Sequence, residues 1–211
     1  MNEQPTGDGV NHARFLIDGP EGERVAVSRA EQVSWLKERH PLARFGHMRT
    51  WDIGACVGQF GKALLDAELI FREDYLGWEP FRDQYEPHVT GADVMFPHVV
   101  VQPAEAMGEF VFRKPEPKFD LIAFNHVLEH LDDPLEALDL AEVALRNRDA
   151  RIMVAVPHSD DQWAWAEEGH LWMFNDVTLA RVADRAGLSV KDSRVVSFAP
   201  GRKELWMMLG R

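Results

Sequence analysis

Several stretches of the chain combine residue types and spacings that can do chemistry. In Trp51-Asp52-Ile53-Gly54-Ala55-Cys56-Val57-Gly58-Gln59-Phe60 an acidic residue closes a short apolar run, and glycines stand two and six positions past it. Glycine lets a backbone turn tightly and approach a ligand with no side chain in the way. The N-terminus of a following helix offers free N–H groups to an anionic ligand. The spacing is not the Gly-x-Gly-x-x-Gly of dinucleotide-binding turns, because Cys56 and Gln59 stand at its last two positions. By itself the segment reads equally as a cofactor turn or as an ordinary strand-to-helix turn. Glu79, followed by Pro80, lies about 20 residues further on. In that register a strand-terminal carboxylate can accept hydrogen bonds from both hydroxyls of a ribose.

A third stretch runs from Phe119 to Pro134. Its apolar segment, Phe119–Phe124, leads into Asn125-His126-Val127-Leu128-Glu129-His130. A loop after a central parallel strand sits at the carboxyl edge of the sheet, where ligands bind in open α/β folds. His126-x-x-Glu129-His130 is formally a zinc-protease pattern. That pattern needs a long helix with both histidines on one face, whereas here it follows a strand closely and Pro134 opens the next helix. Glu129 capping locally and His130 packed into the fold is the plainer reading. A fourth stretch, Pro157–Phe174, carries Trp163, Trp165, Trp172 and Phe174 with His158 and His170. A connection this long is usually functional or loose. Its aromatics either wall an apolar pocket or pack the loop onto the sheet.

The elements that must hold these groups follow from periodicity. Ala13–Ile17 and Arg24–Val27 flank Asp18-Gly19-Pro20-Glu21-Gly22 and predict a small hairpin. Ser28 with Glu31 forms a capping-box signature that starts a helix to about Arg39. From Met48 the pattern alternates. Strands are predicted at 48–53, 75–78, 98–101, 119–124 and 152–156, with helices at 60–70, 134–146 and 176–185, the last capped by Gly187. Leu188–Phe198 and Glu204–Leu209, joined by a Pro-Gly turn, predict an antiparallel pair. The sum is an α/β, doubly wound sheet with a reversed edge.

Composition sets the bounds. With 211 residues and 45% hydrophobic content, one domain with a small appendage is expected. The formal charge of −12 disfavours a phosphate backbone as partner. The single cysteine excludes an internal disulfide framework. No apolar stretch approaches a membrane span, and Met1–Asn11 has no secretory h-region, so a cytoplasmic protein is expected.

Taken together, the motifs resemble those of class I S-adenosylmethionine-dependent methyltransferases. Asp52, Gly54 and Gly58 match the acidic-x-Gly-x-Gly-x-Gly motif, with Cys56 departing at the middle glycine. Glu79 matches the second motif. In Gln102-Pro103-Ala104-Glu105-Ala106, Pro103 stands where the family has its adenine-contacting acidic residue, and Glu105 follows. The stretch from Phe119 to Pro134 is similar to small-molecule methyltransferases of the ubiquinone-pathway O-methyltransferase type. Gly169–Asn175 fits the His-x-x-x-Phe stretch that covers their active sites.

The resemblance implies a Rossmann-like seven-stranded sheet, order 3-2-1-4-5-7-6 with strand 7 antiparallel, spanning residues 45–211. Residues 1–44 would be an addition. S-adenosylmethionine is the implied cofactor and S-adenosylhomocysteine the product. Asp52, Gly54, Ala55, Gly58, Glu79, Pro80, Ala104, Glu105, Asn125 and His126 would hold the cofactor. His130 and His170 would be catalytic, ahead of His126 and His158 as bases. The acceptor would be a small molecule, its methylated atom open between oxygen, nitrogen and carbon. No metal is assigned. The departures at Cys56 and Pro103 motivate an alternative, a non-catalytic ligand- or partner-binding domain. Glu129 and His130 also resemble the metal-binding Glu-x-x-Glu-His of small-RNA 3′-end 2′-O-methyltransferases, with His126 in place of the first Glu and the charge of −12 opposing RNA. A nicotinamide-dependent dehydrogenase is the remaining alternative.

Overall fold

The computed structural model describes residues 19–44, 46–79, 99–100, 103–113, 118–161, 164–165, 169–199 and 202–211. Its centre is strand β4 (Leu121–Asn125), buried along its whole length, as an apolar run without alternation requires of a strand covered on both faces. β1 (Thr50–Ile53) lies parallel to it on one side and β5 (Arg151–Pro157) on the other. β2 (Tyr75–Trp78) and β3 (Val99–Val100) continue the parallel array beyond β1. β7 (Arg202–Gly210) runs antiparallel to β5 and to the outer strand β6 (Ser189–Ala199). The sheet has seven strands in the order β3-β2-β1-β4-β5-β7-β6, as the resemblance implies.

Helices cover both faces. On one, Trp51, Ile53, Ile122, Phe124 and Val154 pack against α3 (Met107–Arg113), α4 (Pro134–Ala144) and α5 (Asp176–Arg185). On the other, Leu121, Ala123, Met153, Trp206 and Met208 pack against α1 (Gly19–Arg39) and α2 (Gln59–Asp66). Alternate strand residues therefore supply alternate cores. Local signals set the helix ends. Asp133 accepts hydrogen bonds from the Leu135 and Glu136 N–H groups at 3.0 Å, with Pro134 in the first turn of α4. A reciprocal Asn175–Thr178 capping box starts α5, and Gly187, at φ 69°, follows its end.

The N-terminal region departs from expectation. Arg24–Val27 is not a hairpin strand but the second turn of α1, and Ser28 is not its cap. Pro20 sits in the first turn, where its missing N–H costs nothing. Val25, Ser28, Gln32 and Leu36 then fall at three- and four-residue steps and are all buried, which is one helical face turned to the sheet. Ser28 Oγ donates to Glu204 on β7 at 3.2 Å. Ala13–Ile17 lies outside the described residues. α3 has no counterpart among the predicted elements.

Parallel registry puts Ile53 beside both Trp78 and Phe124. The glycine turn, Glu79 and Asn125-His126 consequently leave the sheet at one edge. Among the described residues, no helix is long and apolar enough to cross a membrane.

Candidate active site

Gly54 holds φ 70°, and a Cβ there would stand 2.3 Å from Val127 Cγ2. Only glycine fits where the turns after β1 and β4 touch. Ala55 donates its N–H to Trp78 O at 2.9 Å, tying the turn to the end of β2. Cys56 occupies φ 51°, left-handed backbone that costs a non-glycine residue about 1–2 kcal/mol. The position thus keeps the conformation of the glycine that the motif expects. Cys56 N–H donates to Glu79 Oε2 at 2.8 Å, so the strand-two carboxylate and the turn are one unit. Burial, with Glu79 nearby, pushes the Cys56 thiol up to about 12, which leaves it protonated and a poor nucleophile. Gly58, at φ 83°, opens α2.

Asp52 is buried and accepts a 2.6 Å hydrogen bond from Tyr75 Oη. Burial pushes its carboxyl up to about 6, against the opposing pull of Tyr75 and Arg29. Asp52 Oδ1 and Asn125 Nδ2 are buried and interact with each other, Asn125 helping to hold the Asp52 carboxyl down, yet neither meets a hydrogen-bond partner at ordinary distance and angle among the described residues. Such atoms cost about 1–3 kcal/mol each until something satisfies them. They are an acceptor and a donor suited to the ammonium and carboxylate of an amino-acid group, and in that respect the residues fit the implied cofactor.

Three contributors escaped sequence reasoning. Arg29 on α1 donates to Asn125 Oδ1 at 3.3 Å and to Gln32 Oε1 at 3.1 Å. Glu204 on β7 receives hydrogen bonds from Trp206 Nε1 at 2.9 Å and Ser28 Oγ at 3.2 Å, with Arg24 at 3.4 Å. Tyr75 is the third. The only signal for Arg29 is its place on the buried face of α1, visible once that helix is started at Gly19.

His126, at φ 59°, stands between two carboxylates, Glu204 Oε1 at 3.3 Å from Nε2 and Glu129 Oε1 at 3.4 Å from Nδ1. Burial works against its charge, yet Glu204 and Glu129 outweigh burial and hold the imidazole up to about 9. In turn, burial opposes ionisation of Glu204, but His126 and Arg29 keep its carboxyl well below the usual range. At neutral pH His126 is an imidazolium, and a proton acceptor must be sought elsewhere.

His130 and His170 come together, their ring centroids 4.8 Å apart. His130 Nδ1 lies 3.0 Å from Gly169 O, and His170 Nδ1 lies 2.8 Å from Ala164 O. A carbonyl accepts only, so each Nδ1 carries a proton, and in the neutral imidazole the lone pair is then on Nε2. His158 Nδ1 instead accepts the Asp160 N–H at 3.2 Å, within the β5–α5 connection. Of the connection's aromatics, Phe174 belongs to the core rather than to a pocket wall. Trp165 and Trp172 are exposed, their indoles donating to Ser159 O and Leu131 O at 2.7 Å. Ala104 lies in a 3-10 turn after β3. Trp163, Pro80 and the Glu105 side chain lie outside the described residues.

This strand order, with an acidic residue and a glycine turn after β1 and a carboxylate after β2, defines the architecture of class I S-adenosylmethionine-dependent methyltransferases. The fold is similar to magnesium protoporphyrin IX methyltransferase from Synechocystis PCC 6803 with bound S-adenosylhomocysteine, at TM-score 0.67 and 13% identity, over 98% of this chain and 95% of that one. It is similar also to 1,6-didemethyltoxoflavin-N1-methyltransferase from Burkholderia thailandensis, at TM-score 0.56 and 21% identity over 92% of each chain. The cyclase SpnF shares the fold too, at TM-score 0.63 and 14% identity over 86% of this chain and 80% of that one. No curated protein sequence matches the chain. A family profile described as a methyltransferase domain matches residues 28–193, most of the chain. The chain belongs to this methyltransferase family.

Proposed function

We propose that the chain transfers a methyl group from S-adenosylmethionine to a small-molecule acceptor, with a hydroxyl as the acceptor group. The observation that carries this reading is the edge where Glu79 is bonded to the glycine turn and Asp52 Oδ1 and Asn125 Nδ2 stand buried and unsatisfied. The related fold of magnesium protoporphyrin IX methyltransferase, solved with S-adenosylhomocysteine, supports the cofactor, and the toxoflavin enzyme's ligand supports a small acceptor. The net charge of −12 argues against RNA as substrate.

When bound, the cofactor supplies a methyl group on a sulfonium, already an excellent leaving group. The chain's own work is to bind and align. Glu79 would accept from the ribose hydroxyls, the turn at Gly54, Ala55 and Gly58 would let backbone approach, and Ala104 and Glu105 would serve the adenine. Asp52 would accept from the ammonium end, and the Asn125 amide N–H and the Arg29 guanidinium would donate to the carboxylate. Alignment of this kind is worth effective molarities of order 10⁵ M or more. His130 and His170, each with its lone pair on Nε2, are the groups that take a hydroxyl proton, a contribution of roughly 10²–10⁴-fold. His126 holds Glu204 and Glu129 in place as an imidazolium. Residues 1–44 are proposed as an addition to the domain at 45–211, with α1 lending Arg29 to the site.

Calorimetry with S-adenosylhomocysteine tests the reading. Saturable binding is expected, weakened at least about tenfold by Glu79→Ala or Asp52→Ala. Absence of binding, or binding indifferent to both substitutions, overturns it. A second reading, cofactor binding without methyl transfer, has one observation in its favour, the likeness to a cyclase. Tight binding without S-adenosylhomocysteine release in the presence of any hydroxyl acceptor would select it.

A further inference from the structure

Glu129, His130 and His170 form a cluster that methyl transfer alone does not require. A ligating atom from each lies within 4.8 Å of the others. Glu129 is 1% exposed, and neither of its carboxylate oxygens has a hydrogen-bond partner among the described residues. The His126 imidazolium, its Nδ1 3.4 Å from Oε1, supplies one cationic contact, and Oε2 has no hydrogen-bond partner among the described residues. A buried carboxylate with unmet acceptors is costly unless a cation or a donor completes it. Beside it stand two imidazoles whose Nδ1 protons are given to the carbonyls of Gly169 and Ala164. That is how metal-binding histidines are oriented and held in one tautomer. The peptide N–H groups of Leu171 and Trp172 reach the Glu129 carbonyl at 2.7 and 3.2 Å, so the segment bearing His170 is fastened to the residue that supplies the carboxylate.

We infer that Glu129, His130 and His170 bind a divalent transition-metal cation. Two imidazole nitrogens and one carboxylate oxygen favour a zinc-type ion over magnesium or calcium, which prefer oxygen. Four-coordinate zinc with bonds near 2.0–2.2 Å sets ligand atoms roughly 3.4 Å apart. The ligating atoms of the cluster lie within 4.8 Å of one another, and His130 is exposed and able to turn toward the closer spacing. Three protein ligands leave a position open. If the chain methylates a hydroxyl as proposed above, an acceptor oxygen takes that position. With the metal bound, the lone pairs of His130 and His170 are spent as ligands and no longer serve as bases; the metal instead lowers the pKa of the hydroxyl, its proton leaves to solvent, and the oxygen attacks the sulfonium methyl. The new C–O bond forms as the C–S bond breaks, leaving a neutral thioether.

The test uses the full chain, stripped with a chelator and titrated with Co²⁺ alone, without S-adenosyl ligand, so its outcome is separate from that of the cofactor titration. One Co²⁺ per chain is expected, with visible absorption of a low-symmetry site. His130→Ala and His170→Ala should each weaken binding at least about tenfold. Both positions retain some solvent exposure, so the variants keep the fold, which circular dichroism checks. Glu129→Gln should do the same, and His47→Ala, at an exposed histidine stacked on Phe71, should change nothing. Absence of saturable binding, or binding unchanged in both His130→Ala and His170→Ala, overturns the inference.

Discussion

At the scale of single residues, the candidate site holds strain and charge at the proposed cofactor edge. Cys56 holds a backbone conformation that glycine adopts freely, with φ 51°. Cys56→Gly should therefore raise stability by up to about 1 kcal/mol, after allowing for glycine's greater unfolded-state entropy, in urea denaturation. Loss of stability would show that the side chain's packing outweighs the strain. Gly54→Ala should have the opposite effect, costing more than about 2 kcal/mol, since its Cβ would overlap Val127. Asp52 gives a pH signature. Its carboxyl, raised to about 6 in the folded protein, binds a proton more readily there than in the unfolded chain. An ammonium ligand favours the ionised form. Affinity for S-adenosylhomocysteine should then be constant above pH 6 and fall by up to about tenfold per unit below it. Calorimetry from pH 5 to 8 measures this, and Asp52→Asn should bind weakly with a flat profile.

At the scale of elements, α1 and the turn after it are the parts that most need explaining. Leu36 is fully buried against the second face of the sheet, and Leu36→Ala should cost about 2–5 kcal/mol by denaturation. An effect below 1 kcal/mol would mean that α1 is only loosely attached. His40 follows α1. Its Nδ1 accepts the Leu42 N–H at 3.1 Å, and its Nε2–H donates to Asp120 O at 3.1 Å. Burial pushes its imidazole down to about 4. The unfolded chain takes up a proton near pH 6.5 while the folded one does not until about 4, so stability falls as pH falls through that window. The advantage of wild type over His40→Gln should shrink by about 3 kcal/mol between pH 7 and pH 4. A pH-independent difference would contradict this.

Much of this was legible in residues. Tyr75–Trp78 and Asp176–Arg185 fall within their predicted bounds because a short apolar run and a glycine placed just past a helix end are local signals. The glycine turn and Glu79 were legible because spacing carries them. The hairpin expected at 24–27 failed because Gly19-Pro20 and Gly22 look like a turn, while the burial that makes α1 a helix comes from a sheet distant in sequence. Arg29 and Glu204 were invisible for the same reason, 175 positions (204 − 29) separating two groups that meet beside Asn125 and His126.

For the whole molecule, the sheet's order gathers one edge from three strands, β1, β2 and β4. Charge acts at this scale as well. At −12 the chain should show no measurable binding to single-stranded RNA at 150 mM salt, and gel-shift titration with a 20-nucleotide oligomer checks it. The claim on which the rest depends is that the edge formed by β1, β2 and β4 is a cofactor site. A crystal structure with S-adenosylhomocysteine tests it most directly. The account predicts the ribose hydroxyls on Glu79, and the amino-acid end among Asp52, Asn125 and Arg29. A ligand bound elsewhere, or with neither Glu79 nor Asp52 in contact, would contradict it.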